Sequence, residues 1–99
     1  MLLENKKVII YGGGGAIGGA AARTFAREGA KVFLAGRTLA KLDRVARDIS
    51  AAGGLVETAA VDALDEQAVD RHADAVAVKS GGVDVALNAV GIPHVQGTP

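Results

Sequence analysis

The sequence predicts one α/β domain: an open parallel sheet of four strands in the order 3-2-1-4, with helices on both faces. Two observations carry that prediction. Short apolar runs of the kind found in strands buried on both faces alternate along the chain with helical periodicities, and glycines punctuate the ends of these segments. Strands that follow one another through intervening helices are joined by right-handed crossovers, and the doubly wound arrangement of such units gives the 3-2-1-4 order.

The first strand is Lys7 to Tyr11, an apolar run ending in glycines. From Ile17 the apolar residues recur at Ala21 and Phe25, with Arg23, Arg27 and Glu28 elsewhere, and Gly29 stands where a helix is capped. Lys31 to Ala35 repeats the buried-strand pattern. Thr38 is placed as the N-cap of a second helix with Leu42, Val45, Ala46 and Ile49 on one stripe, ended by Gly53 and Gly54. Leu55 to Val61 is a third strand, interrupted by Glu57 and Thr58 as an edge strand allows. Asp65 to Lys79 is a third helix with Val69, Ala73 and Val76 inward, closed by Gly81 and Gly82. Val83 to Leu87 makes the fourth strand, which runs into Asn88 to Gly91. Residues 1–91 thus form the domain and 92–99 an unpatterned tail, in which His94 is expected to be solvated. The outer edge of the fourth strand is expected to be open to self-association.

Composition narrows the function. Ninety-nine residues allow one core and one domain. Eleven basic residues balance eleven acidic ones, so no surplus charge attracts nucleic acid or an anionic membrane over long range. Three aromatic residues argue against a stacking platform for single strands. The sequence has neither an apolar run of membrane-spanning length nor the pattern of a signal peptide. It has no cysteine, hence no disulfide, thiolate metal site or cysteine nucleophile, which suits a reducing cytoplasm. No constellation of metal ligands is expected. His72 falls between Val69 and Val76 at helical spacing, where a core or boundary position is expected rather than a ligand.

Gly13-Gly14-Gly15-Ala16-Ile17-Gly18 satisfies G-x-G-x-x-G between a predicted strand and a predicted helix. Glycines permit the tight turn and let the backbone approach a pyrophosphate, whose charge is met by the free N–H groups and dipole at the helix start. The alternative is a flexible glycine turn with no ligand. The second half of such a fingerprint is an acidic residue about 20 positions on, which binds the ribose hydroxyls of NAD. That position is Gly36, and its neighbour Arg37 offers a guanidinium suited to the 2′-phosphate of NADP instead. NADP is therefore expected over NAD, unless Arg37 is an ordinary solvated arginine.

With these motifs the chain resembles the short-chain dehydrogenases and reductases over nearly its whole length. Their loop T-G-x-x-x-G-[IL]-G is matched by Tyr11-Gly12-Gly13-Gly14-Gly15-Ala16-Ile17-Gly18, departing at Tyr11 for threonine and at Ala16 for glycine. Their N-N-A-G motif is matched in part by Asn88-Ala89-Val90-Gly91, preceded by the usual aspartate at Asp84. The resemblance implies a Rossmann-like fold and places Asn88, Ala89 and Gly91 on the adenosine and ribose side of the cofactor. It also matches Asp62, with Ala63 beside it, to the aspartate that binds the adenine amino group. Capping of the third helix is the competing role for Asp62. The family's catalytic serine and Y-x-x-x-K pair have no counterpart here. Tyr11 is the only tyrosine, Gly15 stands four places after it, and Ser50 and Ser80 fall at predicted helix ends. The reading is an NADP(H)-binding portion of an oxidoreductase without its catalytic half. A non-catalytic nucleotide-binding or regulatory module is the alternative.

Overall fold

The computed structural model describes residues 2–89, so Gly91 and the predicted tail lie outside the described residues. Seven elements alternate: β1 (Lys7–Tyr11), α1 (Ala16–Arg27), β2 (Lys31–Gly36), α2 (Leu39–Ala51), β3 (Leu55–Ala60), α3 (Glu66–Ser80) and β4 (Val85–Asn88). The strands form one parallel sheet in the order β3-β2-β1-β4, as expected from the sequence.

The period of two along each strand decides what lies on each face. Val8 and Ile10 of β1 with Val32 and Leu34 of β2 pack under α1 and α2, against Ala22, Ala26, Leu42, Val45 and Ile49. Ile9, Tyr11, Phe33 and Ala35 point the other way and meet Val61 and Val76. Beyond their opening lysines, Lys7 and Lys31, both central strands are therefore uncharged and buried, because both of their faces are covered. The edge strand β3 has no fully buried residue, which accounts for the Glu57-Thr58 interruption of its pattern.

The buried face of α1 and the start of β4 differ from the sequence expectation. Helix α1 buries Gly18, Gly19, Ala22 and Ala26, whereas Ile17 is 75% exposed and Ala21 and Phe25 are only partly buried. The helix approaches the glycine turn so closely that only small side chains fit beneath it, and the larger apolar residues flank that line. In α3 Val76 is buried and Val69 and Ala73, partly buried, pack against the same core, on the face expected from the sequence. Strand β4 starts at Val85 rather than Val83. Asp84 first anchors the approach, its N–H donating to Lys7 O at 2.9 Å and its carboxylate accepting from Lys7 N at 2.8 Å.

Candidate nucleotide-binding site

At the carboxyl ends of the strands, where doubly wound sheets receive ligands, lies a cleft of about 290 Å³. Gly12, Gly14 and Gly15 form one side, Gly36, Arg37, Thr38, Lys41 and Leu42 a second, and Asp62, Ala63, Leu64 and Ala89 the third.

The glycine turn is held by its own backbone. The N–H groups of Gly12 and Gly13 both donate to Ala35 O, at 2.8 and 3.1 Å, and Gly15 N donates to Gly12 O at 3.2 Å. A Cβ on Gly18 would collide with the carbonyl oxygen of Gly12, so α1 can start here only with glycine at that position. Gly15 is the N-cap of α1 and has no side chain to cap it, and no acidic residue occupies the first turn. The first-turn N–H groups are left for water or a ligand, and the helix dipole makes an anion the favoured one. Gly13, Gly18 and Ile17 do not line the cleft: Gly13 and Gly18 are buried and shape the turn, while Ile17 points into solvent.

Arg37 follows directly on β2 and is exposed along the cleft. Lys41, in the first turn of α2, lines the same wall. Neither is in an ion pair among the described residues, where the carboxylate partners are Asp48 for Arg23 and Glu57 for Lys31 and Lys79. The sequence marks Thr38 as the N-cap of α2 but assigns none of Lys41, Thr38 and Leu64 to the cleft. The available signal for Lys41 was its spacing, four residues after Arg37 and three after the Thr38 N-cap.

Asp62 does not cap α3. Asp65 is the N-cap, its carboxylate accepting from Ala68 N at 3.1 Å. Asp62 Oδ1 instead accepts from Leu64 N at 2.9 Å, a local turn that leaves the residue exposed beside Ala63 in the cleft. Ala89 N donates to Tyr11 O at 2.8 Å, which ties the segment after β4 to the glycine turn; Asn88, the last residue of β4, lies next to it but does not line the cleft.

Tyr11 turns away from this site. Its hydroxyl lies 3.0 Å from Nδ1 of His72 and 3.3 Å from Val69 O, and the two rings meet edge to face at 5.5 Å. A hydroxyl where the family has threonine therefore reaches Val69 O and His72 of α3, while the Ala89 N–Tyr11 O bond ties the end of β1 to the segment after β4. Burial raises the Tyr11 pKa, with Asp70 adding to the effect, and burial lowers that of His72. Ser50 and Ser80 lie at the last turns of α2 and α3, as expected. The ionisable side chains lining the cleft are Arg37, Lys41 and Asp62, a set able to hold an anion and to accept a hydrogen bond. Among the described residues no cluster of His, Cys, Asp or Glu could hold a metal ion, and no helix is long and apolar enough to cross a membrane.

The profile of the family described as short chain dehydrogenase matches residues 6–99. Meso-2,3-butanediol dehydrogenase of Serratia marcescens is 40% identical over 98 residues, covering 99% of this chain and 38% of the relative. The uncharacterized oxidoreductase UxuB of Bacillus subtilis is 37% identical over 92 residues, covering 93% of this chain and 33% of the relative. A metagenomic short-chain oxidoreductase solved in complex with NADP superposes with a TM-score of 0.87 at 35% identity, over 93% of this chain and 42% of that one. A hydroxysteroid dehydrogenase from Escherichia coli gives 0.84 at 33% identity, over 91% and 38%. The chain thus spans about two fifths or less of the length of these proteins. With its sheet order, its glycine turn and a family profile matched from residue 6 onward, the chain belongs to the short-chain dehydrogenase family.

Proposed function

We propose that this chain is the NADP(H)-binding portion of an oxidoreductase that transfers hydride between nicotinamide and a carbonyl or alcohol substrate. The observation that carries the reading is Arg37, exposed on the cleft beside the glycine turn, directly after a glycine at the position where an NAD-specific site has a carboxylate. Gly12 to Gly15 and the α1 amides would receive the pyrophosphate. Asp62 and Ala63 would receive the adenine, and Ala89, with Asn88 behind it and Gly91 beyond it in sequence, would border the ribose. The glycine contacts at Gly18 and Gly14 support the fit, since added methyl groups there would strike Gly12 O and Lys41. A cleft of about 290 Å³ is at the lower limit of small-molecule pockets, a size for the adenosine 2′-phosphate half of the dinucleotide. When bound, the dinucleotide supplies the hydride chemistry. The residues of this chain bind and orient it, and Tyr11, its hydroxyl engaged by α3, takes no part in proton transfer.

The absence of cysteine suits a cytoplasmic protein, and the uncharged outer edge of β4 suits pairing with a second copy. The cofactor reading is tested by titrating the chain with NADPH and NADH at low ionic strength. A charged contact to the 2′-phosphate, discounted for its exposure, is worth about a tenfold tighter binding of NADPH. Equal affinities, or a preference for NADH, would refute the Arg37 assignment.

A further inference from the structure

We propose a second ligand site at the opposite end of the sheet from the nucleotide cleft: a groove that takes a medium-chain aliphatic carboxylate, its chain on an apolar floor and its head group against Lys6 and Arg27. The groove holds about 710 Å³, within the range of small-molecule sites, and shares no lining residue with the nucleotide cleft. It opens where the chain leaves α1 and α2 for the next strands. Both exits turn on glycine, Gly29 with a φ of +97° and Gly53 with a φ of +87°, and these turns put no large side chain into the space between them. Ala26, Ala30 and Ile49, all buried, make the floor, and Leu55 stands at the rim, 61% exposed. An alkyl chain laid on this floor would take Leu55 out of water. Among the described residues no aromatic side chain lines the groove, which favours an aliphatic body over a planar ring.

Charge selects the head group. Arg23 is bonded to Asp48 at 2.7 Å and Lys31 to Glu57 at 2.9 Å, so these two cations are already paired. Lys7 is in register with Lys31 and points with it to the sheet face away from α1 and α2, where Lys31 lies over Phe33. Lys6, two residues before Val8, falls by the same alternation on the α1–α2 face. Lys6 and Arg27 line the groove with no ion-pair partner among the described residues, and Glu4 is the unpaired acid of the lining. Arg27 also complements the carbonyl end of α1, but Lys6 belongs to no helix, so no dipole accounts for its charge. The turn amides of Gly29, Ala30, Gly53 and Gly54 all donate to carbonyls of α1 or α2, so an anion is received here by side chains and not by a backbone cradle. A carboxylate matches the Arg27 guanidinium, and a single charge on a long apolar body uses both parts of the groove.

The test is a titration of the isotope-labelled chain with decanoate below its micelle concentration, followed by amide shifts. Binding should saturate at one equivalent, perturb Ala30, Gly53 and Gly54, and leave Gly12 to Gly15 unmoved. Affinity should rise about twofold or more per methylene from hexanoate to decanoate, and 1-decanol should bind roughly fivefold more weakly than decanoate. Lys6→Gln should weaken decanoate about threefold and Lys6→Arg should restore it. Leu55→Ser, an exposed change that leaves the core intact, should also weaken it about threefold. Shifts at Gly12 to Gly15 would move the acid to the nucleotide cleft. Equal affinity for 1-decanol, or unchanged affinity in Lys6→Gln, would remove the head-group site. Shifts that never saturate would reduce the contact to general adsorption, and sedimentation with anionic vesicles without saturable decanoate binding would make this face a membrane contact. Each of these outcomes overturns the proposal, whereas the absence of an NADPH preference bears on Arg37 alone.

Discussion

Tyr11 and His72 are 61 positions apart in sequence, yet each determines the environment of the other. The phenol is buried under α3 with its hydroxyl between a carbonyl and an imidazole nitrogen, and both groups are held in their neutral forms by desolvation. Because the folded state lowers the His72 pKa from 6.5, folding is favoured where the imidazole is neutral in both states. As pH falls through 6.5 the unfolded chain takes up a proton that the folded chain resists, so this contribution is lost toward acid. The urea midpoint of the chain should therefore drop between pH 7 and pH 5, and His72→Gln, which cannot titrate, should show a shallower drop. Identical acid profiles for the two proteins would show that His72 is not the group responsible. Helical spacing between Val69 and Val76 was enough to place His72 at the core margin. Its partner was not legible, since no periodicity within α3 reports which side chain β1 directs at it.

At the scale of elements, the glycine turn joins β1, α1 and α2, and its glycines have separable tasks. At Gly18 a methyl group would strike the Gly12 carbonyl oxygen, so substitution must displace either the turn or the start of α1. Gly53 has a φ of +87° and no neighbour within 4 Å of an added Cβ, so substitution there costs backbone strain and nothing else. Gly18→Ala and Gly53→Ala should each destabilise the chain by about 1–2 kcal/mol in urea unfolding, the first by overpacking and the second by left-handed strain. Only Gly18→Ala should reduce NADPH affinity, by more than tenfold. Equal affinity in the two variants would detach the turn from the cofactor. The turn, the start of α2 after Thr38 and the strand order were legible because glycine spacing and alternating periodicity are local signals, although the Thr38 side chain makes no cap bond. The face of α1 was not: the stripe Ile17, Ala21, Phe25 is apolar, but the close approach to Gly12 selects Gly18, Gly19, Ala22 and Ala26. The cap of α3 was also missed, because Asp62 and Asp65 both precede the helix and only the geometry of Ala68 N distinguishes them.

For the molecule as a whole, the two edges of the sheet are built differently. The outer edge at β3 carries Glu57, held by Lys31 at 2.9 Å and Lys79 at 2.6 Å, and these hydrogen bonds keep its carboxyl below its usual pKa. Charges on an edge strand oppose the docking of another strand. At the opposite edge, β4 pairs with β1 on one side only among the described residues, and its sequence Val85-Ala86-Leu87-Asn88 has no charge and no proline. Val85 is 37% exposed and Ala86 is exposed beside it. An edge strand with apolar side chains and no charge is a template for another strand, and the candidate always present in solution is a second copy of the chain. Sedimentation velocity over the micromolar range should show a dimer fraction that rises with concentration. Val85→Lys should return the chain to monomer, because pairing would then press an ammonium against its symmetry mate. Thr58→Lys, at the β3 edge, should leave the dimer unchanged. A chain that stays monomeric at every concentration would remove β4 as an interface, and loss of the dimer in Thr58→Lys but not Val85→Lys would move the interface to β3.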